Sequence, residues 1–124
     1  MEIHLFNNTD RAPKPKGEVR IENVTITLYP DRFRVHVAVG VTPFQERPNL
    51  LLVVHDEQDR IVNELNVIET MHFDMEFTLH LRGMADPAGA YTLTVDLFYE
   101  TRNPPQDQLI EAFVIPSADE VDTE

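Results

Sequence analysis

Apolar residues recur at every second position over most of this chain, and helical spacing is almost absent. The stretch RFRVHVAVGV places five apolar side chains on one side of an extended backbone: Phe33, Val35, Val37, Val39 and Val41. The stretch MHFDMEFTLHLR repeats the pattern with Met71, Phe73, Met75, Phe77, Leu79 and Leu81. Because successive side chains of a strand point to opposite faces, both stretches are predicted to be half-buried strands.

Two further stretches depart from this simple alternation. In EVRIENVTITLYP the apolar parity changes between Ile21 and Val24, which predicts a β-bulge or a first strand that crosses between two sheets. The run from Leu50 to Val54 in NLLLVVHDEQ is continuously apolar, and Pro48 leaves it too little room for a helix. It is predicted to be a central strand.

Three more stretches complete a set of about seven strands. RIVNELNVIE is a short partner strand with Ile61, Val62, Leu65 and Val67 as its apolar side. DPAGAYTLTVDLFYE is predicted to be a strand with Tyr91, Leu93, Val95, Leu97 and Tyr99 on one face, and LIEAFVI is predicted to be the last strand. Short strands separated by polar turns predict an all-β antiparallel sandwich, with a β-barrel as the main alternative.

A length of 124 residues is enough for one such domain. Residues 1–17 are predicted to be an N-terminal arm and Pro-rich linker, 18–116 the β-sandwich, and 117–124 a disordered acidic tail.

The entrance to the sixth strand carries a recognisable motif. Gly89–x–Tyr91–x–Leu93 resembles the tyrosine corner of immunoglobulin-like sandwiches, with Leu93 where antibody domains carry their second cysteine. Pro87, four residues before Tyr91, is similar to the fibronectin type III version. The resemblance covers residues 18–116 and implies a seven-stranded immunoglobulin-like sandwich of the bacterial accessory-domain type. The chain lacks tryptophan and cysteine, so an antibody-type domain is excluded, and the superfold implies little chemistry.

Composition excludes several classes of partner. A formal net charge of −12 repels phosphate backbones and anionic lipid, so neither nucleic acid nor a membrane is an expected partner. Without cysteine there is no disulfide and no thiolate metal site. The start MEIHLFNNTD has no basic region followed by an apolar stretch, which predicts a cytoplasmic protein.

Candidate metal ligands are few and scattered. If the second and fifth strands are neighbours, then His36, His72 and His80 share a solvent-facing sheet with Asp74 and Glu76. His72 and His80 would be roughly 26 Å apart along one strand and could not share an ion. His36 and His80 could do so only in a suitable register.

The HDEQDR turn offers Asp56, Glu57 and Asp59 as calcium-type ligands, but it lacks the glycine and the spacing of a calcium loop. The sequons at Asn7 and Asn23 are interpreted as chance. No metal and no cofactor is expected.

Nothing in the sequence predicts catalysis. There is no glycine-rich phosphate loop and no nucleophile elbow, so the protein is predicted not to be an enzyme. The preferred function is a non-enzymatic protein-interaction or structural module. The alternative is a ligand-binding module, for carbohydrate or calcium, that uses loops at one end of the sandwich. Carbohydrate binding needs exposed flat aromatics, for which the candidates are Tyr29, Phe44, Phe98 and Tyr99.

The expected protein partner includes a second copy of the chain. Ile3 and Leu5 alternate with Glu2 and His4, so this segment can present one apolar side to a sheet. An open sheet edge is a template for an added strand. The hypothesis is a homodimer in which residues 2–6 add to the partner's sheet.

Overall fold

The computed structural model describes residues 11–119. The predicted arm strand at residues 2–6 and most of the predicted acidic tail lie outside them. Within this range a 3-10 turn at Lys16–Glu18 precedes seven strands: β1 (Ile21–Leu28), β2 (Arg34–Val41), β3 (Asn49–His55), β4 (Ile61–Val67), β5 (Asp74–His80), β6 (Gly89–Phe98) and β7 (Asp107–Ile115). No helix in residues 11–119 has the length and apolarity needed to cross a membrane.

The strands form two antiparallel sheets that pack face to face. One has the order β1-β2-β5 and the other β4-β3-β6-β7. The predicted all-β, seven-stranded antiparallel sandwich is confirmed. The barrel alternative is wrong, because the seven strands divide into two separate sheets rather than one closed ladder.

The core is built from the alternating residues. The four valines of β2 at positions 35, 37, 39 and 41 are buried, as are Tyr91, Leu93, Val95 and Leu97 of β6. The prediction for β3 is also confirmed, since it lies between β4 and β6 and buries Leu50, Leu51 and Leu52.

The parity change in β1 is a β-bulge. Ile21 lies opposite Val41 and Asn23 lies opposite Gly40, so Glu22 is the extra residue. The strand stays paired with β2 on both sides of the bulge and does not cross between sheets. A Cβ at position 40 would lie 2.6 Å from the Asn23 Oδ1, which explains the glycine opposite the bulge.

The tyrosine at the entrance to β6 closes a corner, as predicted. Its hydroxyl donates to the carbonyl oxygen of Pro87 at 2.6 Å, and its ring stacks on Phe113 with centroids 5.4 Å apart. Burial raises the pKa of Tyr91, and the carboxylates of Asp56 and Glu57 raise it further. The tyrosine therefore packs in the core while its hydroxyl satisfies a buried backbone acceptor.

Three assignments of apolar residues to the core are wrong. Met71 and Phe73 precede β5, which begins only at Asp74, and their side chains are exposed. Ile61 is exposed because a second bulge lies between the pairs Val54–Asn63 and His55–Ile61, which turns Ile61 to the outer face.

The two open sides of the sandwich differ. On the β1–β7 side, Ile21 N–H donates to Asp107 Oδ2 at 2.8 Å, and beyond the far strand ends Arg32 Nη1 donates to the Pro116 carbonyl at 3.1 Å. On the β4–β5 side, Asn63 Nδ2 donates to the His80 carbonyl at 2.7 Å at one end. The other end of that side opens into a groove.

Candidate functional site

The groove on the β4–β5 side is the leading candidate site. It is lined by residues 67–72 and 74–77 and has a volume of about 470 Å³. We call it the β4–β5 groove. It forms where the chain crosses from the end of β4 to the start of β5, so that each sheet contributes one wall.

Hydrogen bonds hold the crossing segment in place. Glu69 N–H donates to Asn49 Oδ1 at 2.8 Å, and Thr70 N–H donates to the Pro48 carbonyl at 2.9 Å. The buried Thr70 hydroxyl donates to Met75 Sδ at 3.1 Å. The groove is therefore formed before any ligand arrives, which lowers the entropy cost of binding.

Large apolar side chains are exposed along this segment. Ile68 is 70% exposed and Met71 is 65% exposed, and both line the groove. Phe73 is partly exposed and meets Phe44 edge-on at 5.5 Å between centroids. Clustered exposed apolar residues mark binding surfaces more often than isolated ones do.

A free strand edge runs beside the groove. Val41 N–H donates to the Phe73 carbonyl and Leu81 N–H to the Phe33 carbonyl, so odd-numbered residues of β5 bond to β2. The backbone groups of the even-numbered residues, Asp74, Glu76 and Thr78, consequently point away from β2. β5 is the last strand of its sheet in the part of the chain that the structure describes.

The histidines fall in separate places. β2 and β5 are neighbours, as the sequence argument required, and His36 Nε2 lies 3.2 Å from Glu76 Oε1 on the solvent face. His80 lies opposite Arg34, one diagonal step from His36, and His72 lines the groove. Among residues 11–119 no three metal-ligating side chains come together.

The carboxylate of Asp56 stabilises the turn in which it lies. Asp56 Oδ1 accepts from the backbone N–H groups of Arg60 and Gln58, each at 2.9 Å, and Oδ2 accepts from Arg60 Nε at 2.9 Å. The backbone hydrogen bond from Arg60 is the largest cause of the lowered pKa of Asp56. Both oxygens of the Asp56 carboxylate therefore already accept hydrogen bonds from groups of the same turn.

We expect millimolar EDTA, calcium or zinc to leave the melting temperature unchanged. An ion raises the melting temperature only if it binds the native state more tightly than the unfolded state. In residues 11–119 no three metal-ligating side chains come together to provide such binding. Thermal unfolding with each additive in turn measures this. A reproducible rise of several degrees with one ion would contradict the prediction, and Asp56→Ala and His36→Ala would then separate the turn from the histidine face.

The candidate aromatic platforms are partly covered. The guanidinium of Arg34 lies 4.2 Å from the centre of the Tyr29 ring, and Lys16 Nζ lies 5.7 Å from that of Tyr99. Tyr99 borders a polar cleft of about 470 Å³ that residues 45–47, 49, 69, 99 and 100 line. Its hydroxyl donates to the Glu46 carbonyl at 2.8 Å, and burial raises the pKa of Tyr99 to about 12.

Sequence reasoning missed the β4–β5 groove. Met71 and Phe73 continue the alternation of β5, and the pattern alone therefore predicts that they are buried. The feature of the sequence that indicates the groove is the mixture of apolar and polar residues between β4 and β5. Ile68, Met71 and Phe73 lie in this connection rather than in a strand.

Comparison with known proteins identifies the fold alone. No protein-family model and no curated protein matches the sequence. A β-glucuronidase of Bifidobacterium dentium is similar in structure, with a TM-score of 0.61 and 14% identity over 80% of this chain. A glycosyl hydrolase family 2 member of Bacteroides cellulosilyticus has a TM-score of 0.55 and 15% identity over 78% of this chain. A β-glucuronidase of Lactobacillus rhamnosus has a TM-score of 0.50 and 18% identity over 79%. This chain spans 18%, 15% and 16% of those three chains respectively.

Proposed function

We propose that this protein is a non-catalytic module that binds another polypeptide in an extended conformation, and that the β4–β5 groove with the edge of β5 is its binding surface. One observation carries the proposal: a preformed apolar groove lies directly beside a strand edge whose backbone groups face outward. The groove supplies contacts for side chains and the edge supplies hydrogen bonds.

The mode of binding is the addition of a strand to a sheet. Main-chain hydrogen bonds to Asp74, Glu76 and Thr78 give affinity, and alternate side chains of the bound segment enter the groove. Those side chains face the same way as Met75 and Phe77, so the groove favours apolar residues at every second position of its ligand.

We further infer that the sandwich is of the immunoglobulin-like, fibronectin type III-like kind, which is often an accessory part of larger proteins. The Tyr91 corner and the three-plus-four division of the strands support this inference. The similar solved structures are glycosidases many times longer than the matched segment, which agrees with an accessory role.

The polar cleft at Tyr99 favours one alternative, a carbohydrate-binding module. It combines one aromatic ring with the carboxylates of Glu46, Glu69 and Glu100, and sugars bind to such mixed surfaces through stacking and hydrogen bonds. The similar structures include β-glucuronidases. Lys16 above the Tyr99 ring reduces the surface left for stacking, so this function is the second candidate.

Selection from a displayed peptide library tests the first proposal. We expect enriched peptides to carry apolar residues at alternate positions and to lose at least tenfold in affinity for the Thr78→Pro variant. Proline removes an N–H that faces the open side and that β2 does not use, so the fold is retained. Thr78→Ala is the matched control, because it keeps that N–H.

Two outcomes would overturn the proposal. One is that selected peptides bind Thr78→Pro as tightly as the unaltered protein. The other is that no peptide is enriched while a glycan array gives binding that Tyr99→Ala removes, which would establish the carbohydrate function instead.

A further inference from the structure

We propose that the segment which the β4–β5 groove and the edge of β5 receive carries lysine or arginine at the positions between its apolar residues. The inference rests on the proposed function, because it names the chemistry of the partner for the same surface. It makes the partner a basic, amphipathic and extended segment of another polypeptide.

The charges that line the β4–β5 groove are acidic. Three carboxylates contribute to its lining, those of Glu69, Asp74 and Glu76, and no lysine or arginine of residues 11–119 does so. A bound segment with basic side chains would therefore meet opposite charge, and one with acidic side chains would meet like charge.

Two of these carboxylates form a regular row along β5. Asp74 and Glu76 are exposed and alternate with Met75, which is buried, and Phe77, which is half-buried. Residues two apart in a strand lie on the same face and roughly 7 Å apart. Residues opposite each other on neighbouring strands also share a face. In a strand added to this edge, side chains beside the two carboxylates would therefore alternate with side chains on the face of Met75 and Phe77.

Both carboxylates of the row are available to a partner. The Glu76 side chain is 76% exposed, and its Oε1 lies 3.2 Å from His36 Nε2. Within residues 11–119, neither Asp74 nor Glu76 forms an ion pair with a lysine or an arginine. A basic side chain on an added strand would consequently not have to displace one that is already paired.

One cation of the chain itself lies in the electrostatic field of this row. The guanidinium of Arg11 forms an ion pair with Glu22, and the hydrogen bond to Glu22 is the largest cause of the raised pKa of Arg11. The charge of Asp74 raises that pKa further, although Asp74 is not ion-paired with Arg11. Since such an interaction strengthens as two charges approach, a cation directly opposite Asp74 would be favoured more.

The charge of the chain favours a different polypeptide as the partner. With 22 acidic and 10 basic residues each copy has a net charge of −12, so two copies repel each other. A basic segment is attracted instead, which raises its rate of association and favours this orientation of charges over others.

Three short peptides test the inference, each with valine at every second position and with lysine, serine or glutamate at the positions between. Opposite charges paired across strands stabilise a sheet and like charges destabilise it. We therefore expect the lysine peptide to bind roughly fivefold more tightly than the serine peptide and roughly 25-fold more tightly than the glutamate peptide. These differences should shrink between about 0.15 M and about 1 M salt, because the screening length falls from about 8 Å to about 3 Å. Fluorescence anisotropy titrations with labelled peptides measure the affinities.

Two double variants locate the preference. Asp74→Asn with Glu76→Gln is expected to bind the lysine and serine peptides equally. Asp119→Asn with Glu111→Gln is the matched control, because it changes the net charge by the same amount at exposed positions on and beyond β7, away from the groove. We expect the control to keep the preference of roughly fivefold for lysine.

Other outcomes overturn the inference. If the three peptides bind equally and all lose affinity for Thr78→Pro, charge does not select the partner and the proposed function survives. If the lysine preference changes equally in the two double variants, overall charge rather than this row attracts cations. A full chain that is dimeric by light scattering, and monomeric as Thr78→Pro, means that a second copy occupies the edge. If Thr78→Pro binds all three peptides as the unaltered protein does, the proposed function fails together with the inference.

Discussion

Replacing Leu52 by alanine is expected to lower the free energy of unfolding by about 2–5 kcal/mol, the usual cost of removing a fully buried leucine side chain. Leu52 lies at the centre of the four-stranded sheet, opposite Leu65 on one side and Val95 on the other, and has no exposed surface. Its neighbours are held by two ladders and cannot collapse into the cavity. Denaturant unfolding at equilibrium measures the change.

Ile110→Ala is the matched control. Ile110 is a side chain of equal size in the same sheet, but it points to the outer face and is 59% exposed. We expect it to cost about 0.5 kcal/mol or less. Equal losses at the two positions would contradict the assignment of the inner and outer faces.

Replacing Tyr91 by phenylalanine is expected to cost about 1–3 kcal/mol, because the Pro87 carbonyl loses its donor inside the protein. The ring remains, so its stacking on Phe113 and its burial are retained. The loss therefore reports on the 2.6 Å hydrogen bond rather than on packing. Denaturant melts of the two proteins give the difference.

Tyr29→Phe controls for removal of a hydroxyl as such. The Tyr29 hydroxyl lies 3.2 Å from Thr78 Oγ1 at an exposed position, where water replaces the lost partner. We expect little change in stability. If Tyr91→Phe has the same midpoint as the unaltered protein, the corner hydrogen bond does not contribute to folding.

Local alternation was sufficient to predict the sandwich. The valines of β2 and the residues from Tyr91 to Leu97 have the period of a strand, and each pattern has only one face that can meet a core. The change of parity between Ile21 and Val24 correctly located the bulge in β1. The Tyr91 corner was predictable because its hydrogen bond spans only four residues.

The binding surface was not predictable in the same way. Whether Met71 or Phe73 is buried depends on where the opposite sheet ends, and that is set by residues distant in sequence. The groove combines the end of β4 with the start of β5, and its walls depend on bonds from Thr70 to Pro48 and from Glu69 to Asn49. A pattern read along one strand contains no information about such contacts.

The two linked ends of the β1–β7 side determine how the domain would bear mechanical tension. β1 and β7 run parallel, with Ile21 beside Asp107 at their starts and Arg32 beside Pro116 beyond their ends. A pull applied at Arg11 and at Pro116 draws the start of β1 and the end of β7 apart along their common axis. The load then falls on the hydrogen bonds at the two ends of this side together rather than on one bond after another. The sandwich would therefore resist stretching along its length through the side opposite to the β4–β5 groove.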